Sequence, residues 1–181
     1  MLDNRLFEEV VMNPVNAGAD SLKIVSGYAT AAMVFHHLGR VRERDRNINL
    51  SLIIGMTPES GVSVSNHRGF QKIMTEDYSD SVDCSYIKQP PSVHSKLYIW
   101  SRGDELTSAF VGYANYTQRA FLSGNQKEII SPSDPDKGLS YFNSLLPDSI
   151  TCLHKDVENE ITVFKDVRRQ RKETTRALGS P

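Results

Sequence analysis

His94 and Lys96 stand two residues apart in Val93-His94-Ser95-Lys96-Leu97-Tyr98-Ile99-Trp100, and their types and spacing suit work on a phosphate. Drawn out as a strand, alternation sends His94, Lys96, Tyr98 and Trp100 to one face and Val93, Leu97 and Ile99 to the other. His94 and Lys96 then sit about 7 Å apart and can address one phosphate. The imidazole can attack phosphorus or give a proton to a leaving oxygen, while the ammonium neutralises charge on the non-bridging oxygens. His-x-Lys alone is a common pattern, and by itself it describes a solvated sheet face.

The residues that follow strengthen the chemical reading. Gly112-Tyr113-Ala114-Asn115-Tyr116-Thr117 closes the next strand with a small residue and a carboxamide, and Asn125-Gln126-Lys127-Glu128 follows on a third short strand. Asn115 can donate to a phosphate oxygen. Glu128 can accept from the imidazole N–H, fixing its tautomer and stabilising a cationic or phosphorylated ring. Tyr98 and Trp100 share the catalytic face, where they either line a substrate groove or pack as core aromatics.

Periodicity and turn residues predict the elements that must hold these groups. A short helix is expected over Asn4 to Val11, ending at Asn13-Pro14. Ser21 to Ser26 reads as a strand, Gly27 as a turn and Tyr28 to Leu38 as a helix. The unit recurs as strand Ile48 to Ile54, loop Gly55 to Gly61 and helix His67 to Thr75. Cys84 to Ile87, Val93 to Trp100, Leu106 to Tyr113 and Lys127 to Ile130 read as further strands, the middle two joined by a turn at Ser101 to Asp104. Thr117 to Leu122 is a helical turn, and Lys137 to Leu146 a helix with Tyr141, Phe142, Leu145 and Leu146 as its apolar stripe. Strands alternating with helices, then hairpin-connected strands, give an α/β class: one domain with a mixed β-sheet flanked by helices.

Composition sets the limits around this site. The chain has 181 residues, with 21 Lys and Arg against 22 Asp and Glu, for a formal net charge of -1. That excludes a whole-surface polycation that coats nucleic acid by charge alone. From Arg168 to Pro181 the sequence carries five basic residues and one acidic, leaving a net of -5 on residues 1–167. The basic tail reads either as a solvated helix end or linker, or as a phosphate-contacting arm or connection to another domain. No window approaches the run of about 18 apolar residues a membrane helix needs, so a cytoplasmic protein without a membrane role is expected. Cys84 and Cys152 form no Cys-x-x-Cys pair, so neither a zinc ribbon nor a disulfide framework is expected. Asp77, Asp80 and Asp83 read as a solvated turn, and Arg40, Arg42, Arg44 and Arg46 as a mixed-charge surface turn.

His94-x-Lys96, Gly112-x-Ala114-Asn115 and the later Asn125 and Glu128 together resemble the active-site motif of the phospholipase D superfamily, over Ser21 to Ile130. Within it, His-Ser-Lys-Leu-Tyr followed by Gly-x-Ala-Asn-Tyr-Thr is similar to the metal-independent restriction endonucleases of the NgoFVII and BfiI type. Two departures stand out. Ser101 occupies a position commonly Asp, and Tyr113 one commonly Ser, whose phosphate contact the phenol could replace in part.

The resemblance implies His94, Lys96, Asn115 and Glu128 as catalytic residues, with Lys96, Asn115 and Tyr113 binding the substrate phosphate. It implies metal-independent DNA cleavage through a phosphohistidine, with no cofactor. Two histidines are needed and the chain has a single His-x-Lys, so a homodimer with one composite site is implied. It also implies a nuclease domain over residues 1–167, with 168–181 leading to a separate C-terminal DNA-recognition domain or ATPase partner. A phospholipid hydrolase or transferase of the same superfamily and a non-catalytic interaction module are the alternatives.

Overall fold

The computed structural model describes residues 1–124 and 126–166, so Asn125 and the basic tail from Arg168 lie outside the described residues. In chain order the elements are α1 (Asn13–Asn16), β1 (Ser21–Ser26), α2 (Ala31–Arg42), β2 (Asn49–Ile54), α3 (Thr57–Ser60), β3 (Val62–Ser63), α4 (Val64–Lys72) and β4 (Val82–Ile87). They continue as β5 (Lys96–Arg102), β6 (Glu105–Gly112), α5 (Gln118–Leu122), β7 (Ile130–Ser133), α6 (Pro135–Leu145), β8 (Ser149–Thr151), α7 (Val157–Glu160) and β9 (Val163–Phe164). The expected α/β class is the observed one.

Seven strands form one mixed sheet in the order β7-β6-β5-β1-β2-β4-β8. β1, β2 and β4 run parallel, while β5, β6, β7 and β8 pair antiparallel to their neighbours. The parallel strands are covered on both faces. Leu22, Ile24 and Val25 of β1 and Leu50, Leu52 and Ile53 of β2 are therefore buried almost without regard to alternation. Helix starts follow the side chains that can cap them. Thr30 accepts from the Met33 N–H at 3.2 Å to open α2, and Asp134 accepts from the Asp136 and Lys137 N–H groups at 3.0 and 3.1 Å to open α6.

At the N-terminus the helix starts later than the sequence suggests and does not stop at Asn13-Pro14. A π-helical stretch, Phe7–Met12, runs directly into α1. Pro14 stands inside this continuous helix and gives no N–H to the Val10 carbonyl four residues back, which accepts the Trp100 indole N–H instead.

β5 divides the core. Tyr98 and Trp100 enter the larger hydrophobic layer with Val10, Met33, Val34 and Phe70, whereas Leu97 and Ile99 enter a smaller one with Val25, Ile53 and Phe142 beneath α6. The predicted alternation is therefore present, and both aromatics are core residues. The Trp100 indole N–H donates to the Val10 carbonyl at 2.8 Å and the Tyr98 hydroxyl to the Ala114 carbonyl at 2.7 Å, which satisfies each polar end inside the protein.

His37, on α2, is fully buried beside Trp100 and pairs through Nδ1 with the Tyr116 hydroxyl at 2.7 Å. Burial lowers its pKa to about 4, the Val11 backbone offsetting only part of that effect. An unfolded histidine takes its proton near 6.5. Between these values the unfolded state binds the proton that the folded state refuses, so stability present at neutral pH is lost as pH falls. The slope is about 1.4 kcal/mol per pH unit. Urea unfolding at about pH 7 and about pH 4.5 should show an acid loss of roughly 2 to 3 kcal/mol that the His37→Phe variant lacks.

Candidate active site

The carboxyl ends of β1 and β2 meet the start of β5, the edge of an open α/β sheet where ligands bind. Residues 93–95 cross these ends instead of extending β5. The Val93 N–H donates to the Gly55 carbonyl at 2.9 Å, the Gly55 N–H to the Ser26 carbonyl at 2.9 Å, and the Gly27 N–H to the Ser95 carbonyl at 3.1 Å. The crossing is close: a Cβ on Gly55 would stand 1.9 Å from the Val93 carbonyl oxygen. The strand expected over Val93 to Trp100 therefore begins at Lys96, because the preceding backbone hydrogen-bonds the ends of β1 and β2. His94 is left on an exposed lip above the sheet.

Lys96 points back beneath that lip and is only 6% exposed. Its ammonium donates to the His94 carbonyl at 2.8 Å and lies 3.0 Å from Nε2 and 3.2 Å from Nδ1 of the same histidine. The two side chains thus touch, closer than an ideal strand would bring them. Burial holds the Lys96 ammonium below its usual range, and the Glu128 carboxylate opposes that effect. Glu128 is half-buried on the segment that leads into β7 rather than on a strand, since β7 begins at Ile130.

Asn115 follows the end of β6. Its Oδ1 accepts the Tyr28 backbone N–H at 3.0 Å, which fixes the amide orientation and leaves Nδ2 as an available donor. Ser26, fully buried at the end of β1, supports the same turn. Its hydroxyl donates to the Tyr28 carbonyl at 2.6 Å and accepts the Tyr116 N–H at 2.9 Å. His94 and Asn115 converge on Gly27: a Cβ there would stand 3.0 Å from His94 Cδ2 and 3.4 Å from Asn115 Oδ1.

Tyr113 is 74% exposed at the end of β6, its backbone N–H donating to the Ile129 carbonyl at 2.9 Å. Gly112 before it has no room for a side chain, since a Cβ would lie 2.1 Å from the Ile129 carbonyl oxygen. On the α6 side of the site a cleft of about 360 Å³ is lined by Ser95, Lys96, Val111, Lys137 and Tyr141. A larger cavity of about 750 Å³, lined by Lys88, Pro90, Asp148 and His154, includes none of the candidate residues.

The structure thus brings His94, Lys96 and Asn115 together and sets Glu128 within electrostatic reach of Lys96. Ser26 and Tyr28 were not among the candidates, and Gly27 was read only as a turn. The one local signal was a polar residue and a glycine closing an apolar strand. Elsewhere, His67 is buried against the Tyr86 hydroxyl at 3.0 Å, like His37 a core histidine. Among the described residues no group of three His, Cys, Asp or Glu is placed to hold a metal ion, and no helix is long and apolar enough to cross a membrane.

Solved structures share this architecture. NucT from Helicobacter pylori superposes with a TM-score of 0.54 at 19% identity, over 81% of this chain and 91% of that one. Nuc from Salmonella typhimurium, a phospholipase D family member, gives 0.55 at 14% identity, over 78% and 87%. No curated protein matched the sequence. A phospholipase D fold with a His-Lys-Asn cluster at the sheet edge defines the class, a phosphodiesterase of the nuclease type. Residues 4–159 match the NgoFVII restriction endonuclease N-terminal PLD domain, and the chain belongs to that family of endonuclease domains.

Ser26→Ala removes a hydrogen-bond acceptor of the buried Tyr116 N–H and a donor to the Tyr28 carbonyl. Urea unfolding should show a loss of about 1 to 3 kcal/mol.

Proposed function

We propose that this domain hydrolyses DNA phosphodiesters without a metal ion, through a phosphohistidine on His94, at a site completed by a second copy of the chain. The observation that carries the proposal is the exposed His94 ring held against the buried Lys96 ammonium, with the Asn115 amide fixed beside it. A histidine nitrogen attacks phosphorus, the P–N bond forms and the P–O bond to the leaving group breaks. The departing oxygen needs a proton. His37 and His67 are buried in the core, His36 packs against Phe7 and His154 lines the separate larger cavity, so the donor in this scheme is His94 of the partner subunit. Water then attacks the phosphohistidine, giving a proton to that same partner histidine, and the P–N electrons return to the ring.

In both steps Lys96 and the Asn115 Nδ2 stabilise charge on the non-bridging oxygens. Lys96 leaves the His94 nitrogens to do so, which frees the nucleophile as substrate binds. Glu128 steadies the cationic groups, and the Tyr113 phenol is available as a further phosphate contact. Family membership favours DNA over lipid as substrate and an active domain over a silent one. In this reading residues 1–167 form the catalytic domain, and sequence recognition comes from a separate DNA-recognition domain or an ATPase partner reached through 168–181.

Cleavage of supercoiled plasmid in excess EDTA tests the chemistry. His94→Ala should lose at least about 10³-fold in rate, and Asn115→Asp about 10² to 10³-fold. Sedimentation should show a dimer. Cleavage by His94→Ala at the unmodified rate, abolition by EDTA, or full activity in a monomer would overturn the corresponding part of the reading.

A further inference from the structure

We propose that Tyr28 is a positioning residue that sets the separation of His94 and Asn115, through its backbone on one side and its ring on the other. The inference rests on the reading of His94 as the nucleophile.

Tyr28 follows the Gly27 turn at the end of β1. Its N–H donates to Asn115 Oδ1 at 3.0 Å and its carbonyl accepts from the buried Ser26 hydroxyl at 2.6 Å, so both sides of its peptide frame are fixed. Its ring meets the His94 imidazole edge to face, with centroids 6.4 Å apart and planes at 82°. The phenol oxygen lies 3.0 Å from Ser60 Oγ at the end of α3. A side chain that is 42% exposed is thus held at both ends, the ring standing between β1 and α3.

What this hold accomplishes follows from Lys96. In the free protein the ammonium lies against both ring nitrogens of His94 and restrains the imidazole by itself. Once a phosphate oxygen takes the ammonium, that restraint is gone when the ring must be aligned for attack. Tyr28 on one face and the close-packed Gly27 behind Cδ2 then remain to hold it. Aligning a nucleophile affects the chemical step more than binding, so the effect belongs in kcat. A base-stacking role for the same exposed ring would appear in KM instead.

The test compares Tyr28→Ala, which keeps the backbone bonds and removes the ring, with Tyr28→Phe, which keeps the ring and removes the hydroxyl. With plasmid in EDTA, Tyr28→Ala should lower kcat by about tenfold or more with KM within about twofold, and Tyr28→Phe should restore kcat to within about threefold. Independently of activity, in a Lys96→Met background, which removes the ammonium's own restraint on the ring, side-chain couplings of His94 measured by NMR should report one χ1 rotamer with Tyr or Phe at position 28 and averaging in Tyr28→Ala. Tyr28→Leu serves where the alanine variant does not fold. The proposal is overturned by an unchanged kcat, by a loss confined to KM, by equal damage from Tyr28→Phe, or by a single His94 rotamer when Tyr28→Ala is combined with Lys96→Met. Should the unmodified protein cleave no faster than His94→Ala, the nuclease reading fails, and the NMR comparison still decides the role of Tyr28.

Discussion

Everything at the site depends on one backbone crossing. Residues 93–95 lie so close over the ends of β1 and β2 that position 55 has no space for a Cβ, and position 27 has almost none. Two backbone hydrogen bonds hold the crossing, Val93 N–H to the Gly55 carbonyl and Gly27 N–H to the Ser95 carbonyl, so the chain cannot lift away without leaving these groups unpaired. This constraint takes His94 out of the regular strand and places its ring above the sheet edge. It also makes Lys96 the first residue of β5, with its side chain directed under the lip. A continuous strand would have put the same two residues on one face without bringing their polar atoms into contact.

The second consequence is electrostatic. The ammonium of a buried lysine loses part of its hydration, and the partial charges around it must replace that loss. Here the His94 carbonyl, the imidazole nitrogens and the Glu128 carboxylate do so, and the lowered Lys96 pKa shows that the replacement is incomplete. An incompletely compensated cation favours the arrival of an anion. A phosphate gives Lys96 a stronger partner than an imidazole can, so in the proposed mechanism, with His94 as nucleophile, binding and release of that ring are coupled in one movement of the lysine side chain.

Much of this was legible in the sequence, for reasons that also explain what was not. β1 and β2 were readable because strands covered on both faces are nearly continuous apolar runs, and the parity of β5 followed from period two. Burial decided whether Tyr98 and Trp100 lined a groove or the core: their polar ends bond to Ala114 and Val10, and contacts to residues that far off in the chain leave no local pattern. The start of β5 was misplaced by three residues for a similar reason, since the glycines that capture Val93 and Ser95 lie just past the ends of β2 and β1. Tyr28 and Asn115 are 87 positions apart, which put the support of the carboxamide beyond any window of sequence. Glu128 was identified by type but not by setting, because edge strand β7 starts only at Ile130.

A single chain leaves this site open on its outer side. His94 is exposed at the lip, and Tyr28, Val111, Tyr113 and Ile129 are also exposed on the segments that carry or flank the site. Phosphodiester hydrolysis gains from a drier setting, in which the Lys96 and Asn115 contacts are screened less, and it needs a proton for the leaving oxygen. Neither is supplied by the residues on this side of the cleft. In the proposed dimer, a second copy set about a two-fold axis through the lip would supply both at once: its own His94 as the acid and its own apolar rim as the cover. The acidic balance of residues 1–167 fits the same scheme, because a net negative charge gives no general attraction to the DNA backbone and leaves productive contact to the cleft.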